Sequence, residues 1–311
     1  MLLMRFRISY LISALLLSLS FCHAQKTYSL EYKLEKGDIF TQELTNSTTS
    51  NMEIMGQKMD MVMNMLMTVQ NEVLEKKENS YIIQMKFNEF TMEMEVAGVK
   101  TVFSSNSTKN NGMLSEELGS IFKLITSLTF DTEMSKTGKV LSVSGFEDLA
   151  NKMMETMGDD IDEEKMEELL TQFEGLFSNQ SMFDMLAQNS SYYPENPVKK
   201  NESWTSSFSS GGNPINFQVD VKMTLKKVKG NIATVQYKGT MGTIEGTMQE
   251  VMGMKATINV TGATSGYMQI DLNNGLAIKS EFAQDAEGNI EMLGMSVPMK
   301  IKSKIFSTTT K

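Results

Sequence analysis

The chain lacks most of the residue types on which enzymes and metal sites depend. In 311 residues it has one cysteine, one histidine, one tryptophan and four prolines. A single cysteine cannot close an internal disulfide, and a single histidine cannot build a multi-histidine metal centre. The only arginines are Arg5 and Arg7. Arginine is the residue suited to bidentate grips on phosphate and carboxylate, so those grips are missing too. No G-x-S-x-G elbow and no P-loop lysine motif occurs. Of the 38 acidic residues, no pair is marked by its spacing as a facing carboxylate pair. The expectation is a protein that is not an enzyme, with no catalytic residue, no metal centre and no cofactor.

The N-terminus explains part of this inventory. Met1 to Arg7 carries two positive charges, and an apolar run from Ile8 to Phe21 follows. That run is shorter than the ~18 residues a membrane helix needs. Basic start, short apolar core and small residues at Cys22 and Ala24 form the pattern of a secretory signal over residues 1–24. Cys22 could instead take a lipid, but Phe21 before it departs from the lipoprotein pattern, so the expected cut follows Ala24. Residues 25–311 would then form a single β-rich domain, without Cys, His or Arg. With 27 Lys and 38 acids their net charge is 27 − 38 = −11. Such a chain is a poor partner for nucleic acid or for an anionic membrane surface. No later stretch has the length of a transmembrane helix. The expected location is periplasmic, outer-membrane-associated or extracellular.

What is abundant is methionine, 29 residues in all, and period-two alternation. Tyr28, Leu30, Tyr32 and Leu34 alternate with polar residues, as do Phe217 to Leu225 and Val297 to Ile305. This is the pattern of antiparallel strands with one dry and one wet face. The apolar phase slips at Asn88-Glu89, which predicts a β-bulge. Turns are expected at Gly56, Gly98, Lys229-Gly230-Asn231, Asn274-Gly275 and Gly288-Asn289. Helical spacing appears only in the middle. Phe146, Leu149, Met153 and Met157 share one face, with Ser144 and Glu147 as a capping box. Met166, Leu169, Phe173 and Phe177 share another, and shorter helices are expected at 115–127 and 181–187. The acids from Asp159 to Glu168 lack the spacing of a calcium loop and suit the start of a solvated helix.

Two segments echo one another. Glu35-Lys36-Gly37-Asp38-Ile39-Phe40-Thr41 resembles Lys199-Lys200-Asn201-Glu202-Ser203-Trp204-Thr205, and Thr137-Gly138-Lys139-Val140 resembles Asn274-Gly275-Leu276-Ala277. The fold class expected is mainly β (α+β). It is a curved antiparallel sheet or half-barrel of two diverged meanders, 28–145 and 197–306. A helical insert at 146–190 would pack on it.

The export signal, the Tyr28-to-Asp38 segment, the Pro197-to-Trp204 segment and the Asp271-to-Leu276 hairpin together resemble a known family. It is an uncharacterised family of exported bacterial proteins, known only as a domain of unknown function. At Asn201-Glu202 the chain departs from that family's Gly-Asp pair. The resemblance implies a fold and a cell-envelope setting but no catalytic residue. More loosely, the architecture resembles periplasmic lipoprotein-carrier half-barrels, an analogy of fold alone.

The sharpest local feature is a ladder: Met59, Met61, Met63, Met65 and Met67. On a strand all five point to one side at ~6.7 Å intervals. Methionine is a flexible filler for irregular cores. It is also suited to adaptable apolar binding surfaces. Its thioether is a soft ligand for Cu(I), which needs several sulfurs converging on one point. Met52, Met55, Met252 and Met254 lie near hairpin ends and could contribute. The functional expectation is a non-enzymatic binding module for an apolar ligand or an envelope protein. The alternatives are a structural or interaction protein with a filled core, and thioether Cu(I) binding.

Overall fold

A computed structural model describes residues 26–54, 57–96, 98–106, 123–124, 126–145, 179, 182–183, 186, 193–210, 217–243, 248–251, 254–292 and 294–311. The predicted signal lies outside these residues. The described residues form fifteen strands: β1 (Thr27–Tyr28), β2 (Ile39–Ile54), β3 (Gln57–Lys76), β4 (Ser80–Val96), β5 (Val99–Ser104), β6 (Thr129–Ser135), β7 (Val140–Ser144) and β8 (Val198–Lys199). Then come β9 (Ser203–Ser210), β10 (Phe217–Lys229), β11 (Ile232–Thr243), β12 (Met248–Val251), β13 (Met254–Asp271), β14 (Ala277–Met292) and β15 (Met295–Thr310).

Thirteen strands form one antiparallel sheet in the order β7-β6-β4-β3-β2-β15-β14-β13-β11-β10-β9, with β5 added to β4 and β12 to β13. The last strand, β15, pairs with the first long one, β2, near the centre of the sheet. The terminal strands of the path, β7 and β9, are not joined to each other. The sheet is therefore open and closes into no barrel. The helical insert expected at 146–190 lies outside the described residues except at 179, 182–183 and 186. Residues 146–178 lie outside the described part, and helical backbone occurs at residues 123–124, 126–127, 179, 182–183 and 186. Ser144, expected to cap a helix, instead ends β7 and pairs with Asp131.

Open sheets of more than about ten strands curl, and backbone bonds across one end show that this sheet does. Tyr32 donates its amide to the Lys136 carbonyl at 2.7 Å, and Lys33 donates to the Asn274 carbonyl at 2.8 Å. Neighbouring amides are under 4 Å apart, so these two carbonyl oxygens lie within about 9 Å. Along the sheet, the turn after β6 and the turn before β14 are separated by five strand spacings. At about 4.8 Å each, a flat sheet would put them roughly 24 Å apart.

The residues that make these bonds form a strap. Residues 29–35 were expected to continue a strand, but only Thr27–Tyr28 is strand, pairing with Val198–Lys199 just before β9. The chain then crosses the curl from the β9 edge to the β6–β7 edge. Alternation arises here because every second side chain points into the curl, not because a ladder forms. Leu30 is buried with Val219, Met223, Val235 and Ile270. Leu34 is buried with Phe40, Val73, Tyr81, Ile83 and Leu276. The Tyr81 hydroxyl donates to the Tyr32 carbonyl at 2.8 Å. Tyr193 stacks against Tyr32 at 5.2 Å and donates to the Gly275 carbonyl at 2.6 Å. Gly275 (φ +76°) lies so close to Glu31 that a Cβ would overlap the Glu31 carbonyl.

The two echoing segments adopt matching bonding patterns. Asp38 donates its amide to the Glu35 carbonyl at 3.0 Å, and Glu202 to the Lys199 carbonyl at 3.0 Å. The acid side chains return the bond: Glu35 N donates to Asp38, and Lys199 N to Glu202. Gly37 and Asn201 both take positive φ. They donate to the carbonyls of Val73 in β3 and Leu225 in β10, each just before a bulge. Asn201 can replace glycine there because asparagine tolerates the left-handed region.

The bulge expected at Asn88 is present: Thr68 pairs with Glu89 and Val69 with Phe87, leaving Asn88 as the extra residue. Gly98, Gly230 and Gly275 sit at turns with positive φ, but Gly288-Asn289 is not a turn. Both residues lie inside β14, paired with Val260 and Asn259. A glycine within a strand marks a close approach of backbone. Gly266 does the same in β13, where a Cβ would meet the Glu281 carbonyl and the Tyr237 ring. The bare Gly266 lets Tyr237 reach across to Phe282, with ring centroids 4.6 Å apart.

Candidate functional site

The curl has a polar outer face and an apolar inner one. On the outside, Lys300 and Lys302 pair with Glu287 and Asp285, all four side chains exposed. Such surface pairs contribute little. On the inside, Val219, Val221, Met223 and Leu225 of β10 and Val260, Met268 and Ile270 of β13 are buried.

The register places the methionine ladder on the inner face. Met59, Met61, Met63, Met65 and Met67 of β3 stand opposite Met52, Ser50, Thr48, Asn46 and Leu44 of β2. On their other side, Met61, Met63, Met65 and Met67 stand opposite Val96, Met94, Met92 and Phe90 of β4. Met52 in turn pairs with Met299 of β15. The structure thus joins the ladder to methionines on two neighbouring strands. Met55 and Met252 lie outside the described residues, and Met254 begins β13 opposite Val251.

Burial changes along β3. All five ladder methionines are half-buried, whereas Val69 and Val73, nearer the strap, are buried. Leu34, Phe40, Val73, Tyr81 and Ile83 form the dense packing at the strapped end. Methionine is concentrated where the inner face is only partly covered.

Beside the ladder lies a polar island not expected from the sequence. Thr48 Oγ1 and Ser303 Oγ lie 3.0 Å apart, and both donate to the Asn46 side-chain oxygen at 3.1 and 2.9 Å. Ser50, one row further, is 3% exposed. Its hydroxyl has no hydrogen-bond partner among the described residues. Every residue from Thr45 to Asn51 could be read as either face by its polarity, because all seven are polar and uncharged. Only the register against β3 shows that Asn46, Thr48 and Ser50 share the inner face.

A depression of about 790 Å³ also opens near the far end of the sheet, lined by Asn51, Glu53, Lys58, Asp60, Glu287 and Lys300 among others. These six alternate with the inner-face residues and belong to the polar outer side. Among the described residues, no group of three or more His, Cys, Asp or Glu is placed to hold a metal ion. None of their helices is long and apolar enough to cross a membrane, which says nothing of crossing by strands.

The protein is thus a mainly antiparallel β protein, with an open sheet curled around a strapped, apolar interior. It belongs to a family of unknown function (DUF6263), whose model matches residues 78–277. No curated protein matches the chain. Among solved structures, the translocator domain of the autotransporter NalP from Neisseria meningitidis is similar at 8% identity and a TM-score of 0.28, covering 88% of this chain and 89% of that one. An outer membrane channel from Pseudomonas putida F1 is similar at 6% identity and a TM-score of 0.25, covering 90% and 97%. OpdQ from Pseudomonas aeruginosa follows at 9% and 0.22, covering 88% and 99%. At these values the likeness assigns neither fold nor location.

Proposed function

We propose that the mature chain is an exported, non-enzymatic binding module of the cell envelope whose inner methionine face takes an apolar ligand. One observation carries this: the five ladder methionines, with Met92 and Met94 beside them, remain half-buried while the strapped end is fully packed. Methionine surfaces re-pack around varied apolar shapes at little cost. The lack of Arg and His in residues 25–311 supports a ligand without strong charge. Native mass spectrometry of protein purified from its own envelope tests this, with uptake of a fluorescent alkyl probe by the delipidated protein. Co-purifying apolar small molecules and saturable uptake are expected. Bare polypeptide that takes up no probe would contradict binding and favour a structural protein with a filled core.

A second reading has one specific observation in its favour. Met63 stands opposite Met94 and Met65 opposite Met92. Directly opposed Cβ atoms are ~4.5–5.5 Å apart. Four thioethers can converge from such a block, which one straight strand could not achieve, and thioethers select Cu(I). An anaerobic Cu(I) titration against a free-methionine control tests it. Affinity no higher than the control would dispose of it.

A further inference from the structure

We infer that the polar island of Asn46, Thr48, Ser50 and Ser303 seats an uncharged acyl ester or amide carbonyl, with the ligand's chain lying over the methionine ladder. This rests on the apolar-binding reading and names the ligand class. Three observations converge on it.

First, the island holds hydrogen-bonding groups that meet no partner among the described residues. Thr48 and Ser303 both bond the Asn46 side-chain oxygen. The Asn46 amide nitrogen donates to no acceptor among the described residues and has its two hydrogens to offer a ligand. Ser50 is 3% exposed, and its hydroxyl meets no partner among the described residues. Buried polar groups without partners are rare and costly. The two groups lie four residues apart on β2, ~13 Å between Cα atoms, so a bound carbonyl oxygen would satisfy the Asn46 amide and a second uncharged oxygen of the ligand's head, such as a glycerol hydroxyl, the Ser50 hydroxyl.

Second, the surroundings lack charge. The inner-face positions around the island are Met299, Ile301 and Ile305 on β15, Ala286, Gln284 and Phe282 on β14, and Met61, Met63 and Met65 on β3. None is ionisable. A carboxylate or phosphate would meet no cation among these described positions, and burying an unpaired charge is unfavourable. A neutral carbonyl carries no such penalty.

Third, the island and ladder are in direct register. Ser50, Thr48 and Asn46 face Met61, Met63 and Met65. A ligand whose carbonyl sits on β2 has its chain delivered straight onto β3 and β4, where Met92 and Met94 widen the apolar track. A polar group beside a long apolar surface is the signature of an amphiphile and not of a plain hydrocarbon.

The mature full-length protein should be titrated with 1-oleoylglycerol, oleate and 1-octadecene, by displacement of a fluorescent alkyl probe. The ester should bind about tenfold more tightly than the alkene, the scale of one well-made hydrogen bond. Oleate at neutral pH should bind no better than the alkene. Ser50→Ala removes a hydroxyl with no partner among the described residues, so it should not lower the melting temperature and should reduce the ester preference. Asn46→Leu should abolish the preference and leave alkene affinity intact. Equal affinity for ester and alkene, tighter binding of oleate, or a preference that survives both substitutions would overturn the proposal. The last would mean that water serves Ser50. In all three cases alkene binding leaves the apolar-binding reading standing. If no probe binds at all, that reading fails and the ester site with it.

Discussion

Leu34→Ala puts the strap to the most direct stability test. Leu34 is 0% exposed, enclosed by Phe40, Val73, Tyr81, Ile83 and Leu276. These neighbours come from β2, β3, β4 and the β13–β14 turn, so the side chain ties together parts of the sheet that are far apart along its path. Truncation loses the transfer free energy of the removed carbons and leaves a cavity that rigid strands cannot refill. The cost should be about 3–4 kcal/mol, the middle of the range for enclosed leucines. For a chain of this size that corresponds to a fall of roughly 6–12 °C in melting temperature. Urea unfolding followed by circular dichroism measures it, with the slope compared between variants to confirm that the same surface is exposed. Ile39→Ala is the control, since Ile39 is 48% exposed, and should change stability by less than about 1 kcal/mol. A cost below about 1 kcal/mol for Leu34→Ala would refute the view that the strap plugs the curl.

Other outcomes follow from the same geometry. Gly275→Ala should cost several times more than Gly294→Ala when the two are melted side by side. Both have positive φ, but a Cβ overlaps the Glu31 backbone at Gly275 and meets nothing at Gly294. Burial pushes the Tyr32 phenol up to about 12 and Tyr193 well above its ordinary value. Their folded pKa values lie above the unfolded value of about 10, so this stabilisation is full below pH 10 and declines as pH rises toward 12. Phenolate absorbance should therefore show both tyrosines ionising only as the protein unfolds. Asp38 is depressed: partial burial raises its pKa, but the Lys311 ammonium and the Glu35 amide outweigh it. Its contribution is present above about pH 4 and lost as pH falls through the depressed value. The acid-unfolding difference between wild type and Asp38→Asn should vanish there. Replacing Met63, Met65, Met92 and Met94 together by Leu should change stability by less than about 1.5 kcal/mol per site. It should preserve alkyl-probe uptake while removing any Cu(I) affinity.

How far the sequence specified this arrangement depended on whether a residue's face could be told from its polarity. The bulge at Asn88 was legible because Phe87 and Phe90 are apolar on opposite parities, which only an extra residue reconciles. The matching turns at Gly37 and Asn201 were legible from Lys, acid and turn residues at equal spacing. The strap was not, since Leu30 and Leu34 alternate with polar residues just as a strand would. Gly288-Asn289 looked like a turn because glycine required for close backbone approach cannot be told by identity from glycine required for positive φ. The ladder's face could be inferred, but its neighbours could not. Met92 and Met94 join it only through the β3–β4 register, and the Asn46–Ser303 island only through β2 meeting β15. The helical expectations for 146–178 fall outside the described residues.

The central claim is that the ladder is an accessible binding surface and not buried packing. Dilute peroxide followed by peptide mapping measures it directly, because thioether oxidation tracks exposure. Met59 to Met67 should oxidise well before Met223, which is 0% exposed, and 1-oleoylglycerol should slow Met61, Met63 and Met65 selectively. Ladder methionines that oxidise as slowly as Met223, with or without the lipid, would contradict the account.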